Sequence, residues 1–500
     1  MRHLAVFAAV FALPSVARSQ DHAHASAERL GTVHFATSCS PQVAPQFDRA
    51  VAWLHSFEFG AAIRTFNEVL AADSTCAMAH WGIAMSQWGN PMAAGARPVA
   101  RLTQGRQAAE VATRLGARAS ERERGYIRAV NALFADFERV AQLARVAAYE
   151  RAMRDLAARQ PADTEARIFH ALALVAAASP NDKTYANQLK AGAVLEALWA
   201  KHPDHPGLAH YIIHAYDYPS LAAHAREAAQ RYAGIAPSAA HALHMPSHTF
   251  TRVGMWEESI TANRRSYAAA TSSGSTAEAL HASDYAMYAQ LQLGHEAAAR
   301  EILDSLPALV ARFDPNAITG AAPASAGYFA LAAIPARWAL EREAWTEAAA
   351  LQPRATDYPW TEAMTWFARA LGAARSGDRA KARVGADTLG AIRARLVARS
   401  EPYWAEQVAI QQLAAEAWVA LAEGRDDDAL ARMREAATRE DATEKSAVTP
   451  GPLAPARELL GDMLMELGRA DEAVAEYRAV LDKEPNRRHS MQRLASVVKP

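Results

Sequence analysis

One spacing restricts the fold of this 500-residue chain more than any other feature: a glycine followed five positions later by a small residue. It recurs at Gly254 and Ser259, Gly294 and Ala299, Gly377 and Ala382, Gly424 and Ala429, and Gly468 and Ala473. Ala62-Ile-Arg-Thr-Phe66 matches the second-helix part of the same unit near the N-terminus. Glycine enters the left-handed conformation of a tight inter-helix turn at little steric cost, and the small residue lets two helices approach. The stretches between are rich in Ala and Leu and broken by Gly, Pro or Asp, and none alternates Val, Ile and Thr with polar residues as a strand would. With 51% hydrophobic and 21% charged residues the chain is too apolar to be disordered, yet it is too long for one compact core. Together these features predict an all-α fold, an α-solenoid of antiparallel helix pairs with a concave groove.

The C-terminal unit carries the pattern most fully. Leu460-Gly461, Leu464, Gly468, Ala473, Tyr477 and Pro485 fall in such order and spacing that this unit resembles a tetratricopeptide repeat (TPR), a helix-turn-helix of roughly 34 residues. Thr37-Ser-Cys39, Leu54-His-Ser-Phe57, Cys76-Ala-Met-Ala-His-Trp-Gly-Ile-Ala-Met85, His210-Tyr-Ile-Ile-His-Ala-Tyr-Asp217 and His241-Ala-Leu-His-Met-Pro-Ser-His248 extend the likeness to bacterial secreted or periplasmic TPR proteins. The resemblance implies a scaffold that binds a partner, with positions 2, 5, 9, 12 and 13 of each first helix lining the concave groove. It implies no particular reaction.

Histidine is the local anomaly. The chain has 18, and His202, His205, His210, His214, His224, His241, His244 and His248 crowd into one tenth of its length. With Gly254 as position 15 of its repeat, His241, His244 and His248 take positions 2, 5 and 9. One repeat earlier, His210 and His214 lie 34 residues before His244 and His248, with Asp217 at position 12. The Gly294 unit places His281, Asp284 and Tyr288 at positions 2, 5 and 9. His210, His214 and Asp217 also share a helical face by their spacing alone. Pro246 breaks or restarts the helix between His244 and His248.

Two functions suit this wall of His210, His214, Asp217, His241, His244, His248, Arg252, His281, Asp284 and Tyr288. As a polar groove it holds a protein, a peptide or a small polar ligand. Alternatively it is a metal-binding protein or a metal-dependent, hydrolase-like enzyme. In that reading His210, His214, Asp217, His244 and His248 hold a divalent transition metal (Zn, Cu, Fe or Mn), because imidazoles one helical turn apart with a nearby carboxylate suit such ions. Asp217 or Asp284 would then act as base and Arg252 would stabilise developing negative charge. A third role is structural hydrogen bonding. His202, His205 and His224 lie off the inferred face and are expected in solvent; His22 and His24 belong to a polar tail. There is no His-Glu-x2-His run, phosphate-binding loop, nucleophile elbow or dinucleotide fingerprint.

Met1-Arg2-His3, the apolar run Leu4–Val16 and the small residues Ala17 and Ser19 read as a signal peptide over 1–19, placing the protein in the periplasm or outside the cell. A flexible segment over 20–46, a repeat array over 47–440, a Pro/Gly linker over 441–455 and the last repeat unit over 456–500 complete the expected organisation. No later stretch is apolar enough to span a membrane. In an oxidising compartment Cys39 and Cys76, with no third cysteine to compete, are expected to form a disulfide. Lys and Arg number 53 against 54 Asp and Glu, so no charge excess marks nucleic acid as a partner.

Overall fold

The computed structural model describes residues 28–93, 95–179 and 181–497. The predicted signal peptide lies outside the described residues. Within them the chain is an all-α solenoid of antiparallel helix pairs without strands. Trp256–Ser272 packs on Thr276–Leu293; Pro359–Arg375, Arg379–Ala398, Pro402–Ala422 and Asp426–Ala442 pack in succession; Ala456–Glu466 packs on Ala470–Lys483. The recurrent spacing acts as the sequence predicts. Gly254, Gly294, Gly377, Gly424 and Gly468 all take φ between 68° and 87°. Ser259, Ala299, Ala382, Ala429 and Ala473, five positions on, are each 0% exposed where the paired helices touch.

Among the described residues the array is closed at two places. Its C-terminal end turns back onto its middle: Trp256 Nε1 donates to the Asn486 carbonyl (3.0 Å), Arg487 Nη1 to the Tyr288 hydroxyl (2.9 Å), and the Arg488 amide to Gln292 Oε1 (2.9 Å). A second closure comes from residues 443–455, which contain Pro450, Pro452 and Pro455 and so cannot extend the preceding helix. This strap crosses the concave side. Arg337, buried against Asp284, holds it by donating to Thr449 Oγ1 (2.9 Å) and to the carbonyls of Gly451 (2.9 Å) and Pro452 (3.0 Å).

The described part of the segment expected to be flexible, residues 28–46, is tied to the array. Its amides and carbonyls pair with distant chain, Thr32 N–H to Asp204 O (2.9 Å) and Ser238 N–H to Arg29 O (3.2 Å). Phe35 lies within 5.5 Å, centroid to centroid, of the rings of Phe47, Trp81 and Tyr126, and that buried aromatic contact outweighs the polar local composition. Cys39 and Cys76 are disulfide-bonded with Cα atoms 4.9 Å apart. No helix among the described residues is long and apolar enough to cross a membrane.

Candidate metal centre

Three consecutive first helices deliver the histidines. Pro206–Ala215 carries His210 and His214; Ala240–His244 and its restart Pro246–Arg252 carry His241, His244 and His248; Thr276–Leu293 carries His281. The helix stops at His244 and restarts at Pro246, whose missing N–H suits a first helical position. None of the six rings is more than 6% exposed. They form two trios, His210/His214/His241 and His244/His248/His281, in each of which one ring nitrogen per residue lies within 4.8 Å of the others.

The partners of the outer ring nitrogens fix the tautomers. His210 Nδ1 sits 2.6 Å from the His55 carbonyl, and His241 Nδ1 sits 2.9 Å from Glu278 Oε1. His248 Nδ1 sits 2.9 Å from Asp217 Oδ2, and His244 Nδ1 2.7 Å from Asn263 Oδ1. Asn263 cannot turn its amide round, because its Nδ2 donates to the Ser259 carbonyl (2.8 Å). Each partner atom is therefore an acceptor, and all four imidazoles donate through Nδ1. Their Nε2 lone pairs are left pointing inward. His210 Nε2, His214 Nε2, His241 Nε2 and His281 Nδ1 are buried with no partner, and the lone pairs of His244 Nε2 and His248 Nε2 face each other at 3.1 Å.

Burial, followed by the proximity of the other rings, pushes His210, His214 and His281 well below the ordinary imidazole range and His244 down to about 3. Burial also lowers His248, against the pull of Asp217. In these five rings burial thus favours neutral imidazole, the form that binds metals. One carboxylate stands behind each trio. Burial opposes the ionisation of Glu278, but His241 and His244 bring it down to about 2. Burial likewise opposes that of Asp217, but Lys445, Arg252 and His248 hold it well below the usual carboxylate range. Beside Glu278, Glu58 accepts from the His241 amide (3.0 Å) and is raised to about 8 by burial and by the Glu278 charge.

Of the wall predicted from the sequence, the six histidines converge and the other residues do not. Asp217 lies behind His248, its carboxylate taken by His248, by Arg252 Nε (2.9 Å) and by Lys445 Nζ (3.4 Å), so neither it nor Arg252 faces the trios. Asp284 pairs with Arg337 (2.8 Å) at 0% exposure, and Tyr288 bonds Arg487 and Glu484. Register is nonetheless kept. Where a further trio would follow, the Arg337 guanidinium lies against Asp284 and 5.0 Å from the Tyr288 ring centre, a fixed cation in the next position. His202 and His224 are exposed as expected, but His205 is buried, its Nε2 bonded to Glu165 (2.9 Å), which also bonds His55 Nε2 (2.8 Å). Gly207 is needed here, since a Cβ would lie 2.5 Å from His55 Nδ1. Sequence reasoning missed Glu278, Asn263, His55, Tyr285 and Lys445.

The strap covers the site. The Tyr285 hydroxyl, packed on His244 and His248, donates to the Thr449 carbonyl (3.0 Å), with that of Ala447 at 3.1 Å. Beneath Ser446–Val448 a cavity of about 30 Å³ touches His214, His241, His248 and His281.

No protein-family model and no curated protein sequence matches the chain. Among solved structures, the human IFIT1 dimer with m7Gppp-AAAA is similar at 11% identity and a TM-score of 0.41, covering 81% of this chain and 89% of that one. Yeast Tom70 is similar at 11% and 0.37, covering 91% and 95%. The P58(IPK) TPR domain is similar at 9% and 0.23, covering 91% and 97%. The repeat architecture is therefore read from the helix pairs and their turn glycines themselves.

Proposed function

We propose that the protein is a helical-repeat scaffold that binds transition-metal ions in its buried histidine centre. One observation carries this reading. His244 and His248 both spend their Nδ1 proton on fixed acceptors, so two lone pairs meet at 3.1 Å in a buried space. Two acceptors at hydrogen-bonding distance with no donor between them repel, and the arrangement becomes favourable with a cation between them. Hydrogen bonding of each outer nitrogen to a carboxylate, amide or carbonyl is also how metal-ligating imidazoles are oriented. Imidazoles on one tetrahedral ion lie about 3.3 Å apart at metal–nitrogen distances of about 2.0 Å, so small side-chain rotations bring each trio into contact with an ion. An all-imidazole donor set favours Zn and Cu, then Fe, and disfavours Mn, which prefers oxygen.

A peptide lying on the histidine wall is the weaker reading, because the six rings are buried and the strap crosses them. A periplasmic or secreted location belongs to the same proposal. It is supported by the Cys39–Cys76 bond, since such bonds persist in oxidising compartments.

Metal analysis of the untagged protein after dialysis against Zn or Cu, beside the His214→Ala, His248→Ala double variant, tests the reading. Stoichiometric metal in the wild type, lost in a variant of unchanged far-UV circular dichroism, supports it. Metal-free wild type sinks it.

A further inference from the structure

The two trios have the same construction. Each takes positions 5 and 9 of one first helix and position 2 of the next: His210 and His214 with His241, then His244 and His248 with His281. Each has one imidazole fixed by a carboxylate (His241 by Glu278, His248 by Asp217), one fixed by a neutral oxygen (His210 by the His55 carbonyl, His244 by Asn263), and one with no fixing partner. The three histidine positions thus recur one repeat on, with the carboxylate on position 2 in the first trio and on position 9 in the second. His214 and His248, one from each trio, have ring centres 6.0 Å apart, and His241 and His244 are 5.8 Å apart.

The cavity adds a second, independent constraint. Its lining includes His214 and His241 from the first trio and His248 and His281 from the second, so any occupant faces both sites. No carboxylate, ammonium or guanidinium lines it; the remaining walls are small residues, Asn90, Trp360, Trp404 and the strap. About 30 Å³ holds two or three water-sized species at most, a water needing roughly 10–15 Å³. Each trio supplies three neutral ligands and lacks a fourth, the arrangement of metal sites that keep one position for an exogenous ligand.

Resting on the metal-binding reading, we propose that the centre is dinuclear: one ion per trio, with a single small oxygen ligand, water or hydroxide, held between the two in the cavity. Glu278, behind His241, contributes one negative charge to the first half, whereas Asp217, behind His248, is ion-paired with Arg252 and Lys445. The strap carbonyls and the two tryptophans limit what else reaches the ions to molecules of about that size.

Copper(II) titration of the wild-type protein, read by total metal and by electron paramagnetic resonance spin count, tests this without any variant. The expected result is two ions per chain and a spin count far below two, because a shared oxygen ligand couples the two unpaired electrons. One ion per chain, or two ions with the full count of two uncoupled spins, overturns the dinuclear centre while leaving metal binding intact. No bound copper overturns both. Zinc binding adds a second measure: His214→Ala and His281→Ala are each expected to keep one zinc of two. Loss of both ions from either variant at unchanged circular dichroism contradicts two separately built sites.

Discussion

Glu278→Gln isolates one trio. Both carboxylate oxygens of Glu278 are acceptors in use: Oε1 takes the His241 Nδ1–H at 2.9 Å and Oε2 takes the Ala322 amide at 2.9 Å. Glutamine keeps the shape but offers only one acceptor oxygen. If that oxygen stays on Ala322, the new amide N–H₂ faces His241 Nδ1 and favours the ring tautomer with its proton on Nε2, the nitrogen that has to hold the metal. The loss is one charge-assisted hydrogen bond, about 1.5–3 kcal/mol, or a tautomer change of similar cost, which is roughly 10- to 100-fold in affinity at the first trio. The second trio, oriented by Asp217 and Asn263, keeps its affinity. Competition with a chromophoric chelator resolves this as one weakened and one unchanged binding step. Unchanged affinity at both sites, or equal weakening of both, would refute the reasoning that Nδ1 fixation by Glu278 sets the first site.

Further outcomes follow from the packing and from titration. Arg337→Met leaves the Asp284 carboxylate buried without a partner and frees the strap, lowering stability by about 3–5 kcal/mol in urea unfolding; adding Asp284→Leu recovers part of it, and an unchanged midpoint counts against a structural pair. Gly82→Ala puts a Cβ 2.2 Å from the Phe66 ring and costs about 1–3 kcal/mol by overpacking, seen as a lower melting temperature. Removing the Cys39–Cys76 crosslink, which spans 37 residues, costs about 3–4 kcal/mol on the chain-entropy model, seen as a urea midpoint that falls on reduction. His210, His214, His244, His248 and His281 are all lowered on folding, so below about pH 6.5 the unfolded chain binds more protons than the folded one. Their contribution is complete above that pH and is lost as the pH falls toward the folded values, by up to about 1.4 kcal/mol per pH unit for each group. His55, His80 and His170 are lowered as well, while Glu58, raised to about 8, Glu440, raised to about 7, and His489, raised against burial by Asp462, act in the opposite sense. The metal-free protein should therefore lose stability steeply between pH 6.5 and 5, and a flat urea midpoint over that range contradicts buried neutral histidines.

The repeat and its register were legible because they are local. A turn glycine and a small residue five positions later mark each helix pair, and counting back from Gly254 and Gly294 aligns His241, His244, His248 and His281 without any knowledge of the rest of the chain. What fixes those rings was not legible. Asn263 lies on a second helix, the His55 carbonyl near the N-terminus and Lys445 on the strap, and no local spacing ties them to a histidine more than a helix away. Asp284 and Tyr288 are in register, yet Arg337 and Arg487 claim them from elsewhere in the chain. Closure of the groove is also a sum over many repeats: each adds a small rotation, and only the whole array brings Asn486 back to Trp256.

X-ray absorption at the metal edge of the zinc- or copper-loaded, untagged protein examines the central claim most directly, because it counts the donors themselves. Three imidazole nitrogens per ion at about 2.0 Å, with the outer-shell scattering of imidazole rings and a lighter oxygen contribution, is the predicted result. A first shell dominated by oxygen or sulfur, or one nitrogen or fewer per ion, would contradict a centre built from His210, His214, His241, His244, His248 and His281.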